Sequence, residues 1–71
     1  MAEASTANVS CERAIEIARE RVPGRVLDTE MKERGGLLVY DIETEAKSGT
    51  RSEISIDAHS GAVIRVKHLD D

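Results

Sequence analysis

The stretch from Ile54 to Val66 contains its own strand, turn and return strand, and the rest of the chain has to be arranged around that hairpin. Ile54 and Ile56 alternate with Glu53, Ser55 and Asp57. Beyond the turn, Ile64 and Val66 alternate with Arg65 and Lys67, the period of two that marks half-buried strands. The connection has turn chemistry of its own. The Asp57 carboxylate can accept backbone N–H bonds from the next two or three residues, and Gly61 can take the positive φ that closes a type I turn with a bulge.

Upstream of the hairpin the period is first helical and then two. Ser10 is placed as an N-cap, Glu12 suits the positive end of the helix dipole, and Val9 can staple onto Ala14. Cys11, Ala14, Ile15, Ala18 and Val22 then form one apolar stripe, widened by Ile17, which predicts a helix from about Cys11 to Val22. Pro23 and Gly24 end it. From Arg25, Leu27, Thr29 and Met31 point one way and Val26, Asp28, Glu30 and Lys32 the other, until Gly35 and Gly36 break the run. In the next strand Leu38, Tyr40, Ile42 and Thr44 form the core-facing set, opposite Val39, Asp41, Glu43 and Glu45, and Lys47 to Thr50 supply the following turn.

Short connections favour an antiparallel meander. One helix stripe and one apolar sheet face satisfy each other, so the predicted fold is α+β, with an N-terminal helix packed on one face of a four-stranded antiparallel sheet. The expected inward set is Ala14, Ile15, Ala18, Leu27, Met31, Tyr40, Ile42, Ile54, Ile56, Ile64 and Val66. A chain of 71 residues has room for one such domain. Residues 1–8 have no periodicity and are expected to be a disordered arm, residues 9–68 the domain, and residues 69–71 a tail with His68 fraying at its start. With one aromatic residue, Tyr40, the core is poorly furnished and its stability is expected to be a few kcal/mol unless self-association adds to it.

The final hairpin reads I-D-A-x-x-G-x-V at Ile56, Asp57, Ala58, Gly61 and Val63. Together with Ser10 to Ala18, the Val22-Pro23-Gly24 helix end and Leu38-Val39-Tyr40 followed by Asp41, Ile42 and Glu43, it resembles the PepSY domain family of bacterial propeptides and envelope proteins. The resemblance runs from about Val9 to Val66, and the module stands here as a single copy with no peptidase domain beside it. It implies a non-catalytic protein-binding module that inhibits or regulates a peptidase, or acts as an envelope sensing or scaffold domain. It also implies a periplasmic or extracellular setting. The first ten residues lack the charged and apolar regions of a signal peptide, so that setting requires a signal or anchor removed ahead of the chain.

Other chemistries find little support in the residues. A net charge of −4 and the lack of a basic stripe interleaved with aromatics argue against nucleic acid. No apolar run approaches the ~20 residues of a membrane-spanning helix. His59, His68 and Cys11 share no metal-ligand spacing, so no metal or cofactor is expected, and a small-molecule binder is the least favoured class because one aromatic lines little cavity. Cys11 sits on the apolar stripe and is expected to be a buried small hydrophobe rather than a reactive thiol. Asp57, His59 and Ser60 share one exposed turn and cannot make a water-excluding triad, so no enzyme activity is expected. What remains is the sheet face turned away from the helix and the free edges of the outer strands. The candidate partner-binding residues on that face are Asp41, Glu43, Arg51, Glu53 and Ser55, and the alternative function is a structural homodimer built through an edge strand or the sheet face.

Overall fold

The computed structural model describes residues 8–69. Of the expected disordered arm at residues 1–8, residues 1–7 lie outside them, as do the last two residues of the expected tail; Asn8 is described, and its N–H donates to Ala58 O. In chain order the elements are α1 (Cys11–Arg21), β1 (Arg25–Arg34), β2 (Leu37–Glu45), β3 (Arg51–Asp57) and β4 (Val63–His68). The four strands form one antiparallel sheet in sequence order, so the predicted α+β meander is the fold.

Local chemistry explains where α1 starts and stops. The Ser10 hydroxyl accepts the Arg13 N–H at 3.0 Å, and Val22, already extended at φ −135°, donates its N–H to Ala18 O before Pro23 prevents continuation. Ala14 and Ala18 are fully buried against β2 and β3, where their small side chains let the helix lie close. Beneath it, Tyr40, Ile42, Ile54, Ile56 and Ala58 complete the core, with Val9, Ile15, Ile17, Val22, Val26, Leu38, Val63 and Val66 packed around them.

Two β-bulges overturn part of the expected inward set. A register shift between Val26 and Asp28 makes Leu27 the unpaired extra residue, so Val26 faces the helix and Leu27 is left 38% exposed. A second shift opposite Ser55 and Ile56 does the same to Ile64, which is 48% exposed while Val63 packs inward in its place. Met31 does share the helix-side face with its neighbour Tyr40, but the helix lies over β2 and β3, and Met31 at the β1 edge remains 48% exposed. Cys11 is exposed rather than buried. At that end of the helix the core is closed instead by Val9, whose carbonyl accepts the Tyr40 hydroxyl at 2.7 Å and whose N–H donates to Ala58 O at 2.9 Å.

The final hairpin closes as its sequence requires. Asp57 Oδ1 accepts the N–H groups of His59 and Ser60, and Gly61 has φ +82°. Ala58 is buried and doubly tied: its N–H donates to Leu38 O, and its carbonyl receives both Asn8 and Val9. His68 does not fray; it lies in β4 with Nδ1 2.9 Å from the buried Ser52 hydroxyl, and Leu69 N–H still reaches Arg51 O.

Candidate functional site: the open face of the sheet

Residues paired across antiparallel strands share a face, and the registers define the face turned away from α1. Glu30, Asp41, Ser55 and Arg65 form one row across it, Asp28, Glu43, Glu53 and Lys67 a second, and Lys32, Val39 and Asp57 a third. All five sequence candidates stand here, but they play different roles. Asp41 and Ser55 are buried, Glu43 and Glu53 are half-buried, and Arg51 is exposed with its guanidinium 3.5 Å from Glu43.

Asp41 is the organising residue of this face. Only 4% exposed, it accepts the Ser55 hydroxyl on Oδ1 at 2.6 Å and the Arg34 guanidinium on Oδ2 at 2.6 Å, with Lys32 Nζ 3.6 Å away. Burial pushes its carboxyl up. The hydrogen bonds from Ser55 and Arg34 and the charges of Arg34 and Lys32 outweigh burial, and the net position is below the usual aspartate value. Arg34 is raised in turn, by the hydrogen bond to Asp41 and then by its charge. Since Arg34 stands opposite Leu37 in the ladder, its reach to Asp41 carries it past Val39, which is 1% exposed on the nominally solvent side.

A shallow hollow of about 160 Å³ results, lined by Leu37, Val39 and Ile64 with Arg34, Arg65 and Ser55 around them. It gives the open face two unlike ends. Towards the Gly35-Gly36 turn the surface is apolar and cationic; towards the other end Asp28, Glu43, Glu45 and Glu53 dominate, partly answered by Arg25, Arg51 and Lys67. A larger groove of about 560 Å³ lies between the helix end and the β2–β3 turn, lined by Arg19, Gly24, Arg25, Glu45, Ala46, Lys47 and Gly49. It contains no buried polar side chain and no ordered ion pair beyond the surface contact of Arg25 with Glu45, so it lacks the built geometry of the Asp41 cluster.

The apolar and cationic residues Arg34, Leu37, Val39, Ile64 and Arg65 were missing from the sequence-based set. One signal was available, since Leu37 and Val39 occupy positions that strict alternation assigns to solvent. Among the described residues no three of His, Cys, Asp and Glu come together in a way that would hold a metal ion, and no helix is long and apolar enough to cross a membrane.

A single helix laid over a four-stranded meander leaves one sheet face uncovered with an ordered polar cluster on it, an architecture suited to a small regulatory or binding module. The chain belongs to the PepSY family: the family model described as "Peptidase propeptide and YPEB domain" matches residues 9–67. Domains of this family are generally non-catalytic propeptide or regulatory modules, typically extracellular or periplasmic. The chain is also similar to the uncharacterized protein YkoJ of Bacillus subtilis (strain 168), with 33% identity over 63 residues that cover 89% of this chain and 36% of that protein. It thus spans about a third of that relative's length. No solved structure matches it.

Proposed function

We propose that the protein is a non-catalytic module that binds a protein partner through the open sheet face, and that the partner is a peptidase which it restrains or regulates outside the cytoplasm. The observation that carries this reading is the hollow over Leu37, Val39 and Ile64, flanked by Arg34, Arg65 and Ser55, with Arg34 and Ser55 each hydrogen-bonded to the buried Asp41. Large apolar side chains left on a face that the fold does not cover, beside cationic groups held in position, suit an apolar residue of a partner that carries a carboxylate next to it. Glu43, Arg51 and Glu53 extend the contact towards the acidic end, while Asp41 and Ser55 order it from beneath. The name of the matched family, with its peptidase propeptides, supports the choice of a peptidase.

The test is to recover extracellular and envelope peptidases of the source organism on the immobilised domain, and to assay each with and without it. Saturating domain should lower the activity of a retained peptidase, and Ile64→Asp and Arg65→Glu should abolish that effect while leaving the thermal midpoint within a few degrees of the parent. Retention without any change in activity at saturation removes the inhibitory reading.

A further inference from the structure

We infer that the outer edge of β1 is a self-pairing interface, and that two copies of the chain join there as a two-fold dimer with Met31 opposite the second copy's Met31. Among the described residues β1 pairs with β2 alone, so the other side of a ten-residue strand is left open, and the helix, seated over β2 and β3, does not overhang it.

The turn at the end of β1 determines which groups that edge presents. Arg34 and Leu37 are joined by two glycines, both at positive φ (+57° and +82°), as in a type I′ turn, whose flanking residues exchange both main-chain hydrogen bonds. Counting back by twos, Arg34, Lys32, Glu30 and Asp28 bond to β2. Glu33, Met31 and Thr29 therefore turn their N–H and C=O groups outward.

An antiparallel two-fold pairing of this edge can be centred on any residue from Thr29 to Glu33, and the charges separate the options. Centring on Glu30 or Lys32 sets that residue against itself. Centring on Thr29 puts Asp28 against Glu30 of the partner subunit, and centring on Glu33 puts Lys32 against Arg34 of the partner subunit, like charge on like in each case. Centring on Met31 alone sets Asp28 opposite the partner's Arg34 and Glu30 opposite the partner's Lys32, each twice by symmetry. The run D-x-E-x-K-x-R from Asp28 to Arg34 is self-complementary in this register only. On the helix side the same register brings together the two Met31 side chains, which are 48% exposed in the single chain. The β4 edge offers no equivalent, because Arg65, Lys67 and His68 would meet their own kind.

Cross-linking reads the pairing directly, with no ligand of the open face present. In this register the two Met31 Cα atoms form a hydrogen-bonded pair about 5.5 Å apart, inside the disulfide range, whereas the two Glu33 Cα atoms are offset by about 13 Å. In a Cys11→Ser background, needed because Cys11 is exposed, Met31→Cys should form disulfide dimers in a glutathione redox buffer. Glu33→Cys alone should not, while a mixture of Thr29→Cys and Glu33→Cys should give the mixed dimer. Sedimentation of the unmodified protein should show a dimer, and Glu30→Lys should weaken it roughly tenfold or more without altering the circular dichroism of the fold. Four results would each overturn the inference: a monomer at millimolar concentration, a species growing beyond the dimer, Met31→Cys cross-linking no better than Glu33→Cys, or Glu30→Lys leaving the dimer intact.

Discussion

Asp41 is a charged residue buried on the side of the sheet that no helix covers, and its partners account for that. Removing its carboxylate leaves the Ser55 hydroxyl buried without an acceptor and releases Arg34, so Asp41→Ala should destabilise by about 1–3 kcal/mol in chemical denaturation at neutral pH. The pH dependence has a definite sign. The folded-state pKa lies below the unfolded value of about 3.9, so the contribution is fully present above the unfolded value and is lost as pH falls through the folded one. Between about pH 5 and pH 2 the parent should therefore lose more stability than Asp41→Asn, and equal losses would show that the cluster does not hold the charged form. Gly61 makes a second residue-level case. At φ +82° a Cβ would lie 3.4 Å from Ile17 Cδ1 and 3.6 Å from Val9 Cγ2, so Gly61→Val should cost about 2 kcal/mol or more. Ser60→Ala, which loses one exposed bond to Ala62 N–H, should cost about 0.5–1 kcal/mol. The roles of Asp57 and Gly61 were legible in the sequence because turn chemistry is local. The Arg34–Asp41 contact was not, because it depends on the register of β1 against β2. Cys11 misled because a helical stripe shows which side is apolar but not how far along the helix the sheet reaches.

At the level of elements, helix boundaries, strand order and the final hairpin all followed from caps, periods and turn residues. What alternation could not supply was the pair of bulges. Leu27 and Ile64 each fit an unbroken period of two, and one extra residue in one strand becomes visible only when it is counted against its partner strand. The energetic consequence distinguishes the two readings. Ile56, fully buried between helix and sheet, should cost about 2–5 kcal/mol on truncation to Ala, a large share of what so small a domain possesses. Met31→Ala and Ile64→Ala, which strict alternation would rank with it, should each stay within about 0.5 kcal/mol in the monomer, as read by denaturant midpoints at low protein concentration.

For the whole molecule, one layer of helix on one layer of sheet leaves a complete face uncovered, and the proposed function is placed on that face. Charge is unevenly spread over it, with Arg34 and Arg65 beside the apolar hollow and Asp28, Glu43, Glu45 and Glu53 towards the opposite end. A partner bound as proposed is oriented by such a face as well as attracted to it, because turning it end for end would bring like charges together. Added salt should therefore slow association more than it speeds dissociation. The most direct measurement is amide chemical-shift mapping of the isotope-labelled domain titrated with a peptidase that it retains. Binding through the open face should concentrate the shifts at Leu37 to Glu43, Arg51 to Ser55 and Ile64 to Lys67, with α1 unaffected. Shifts confined to α1, or spread evenly over both layers, would contradict it.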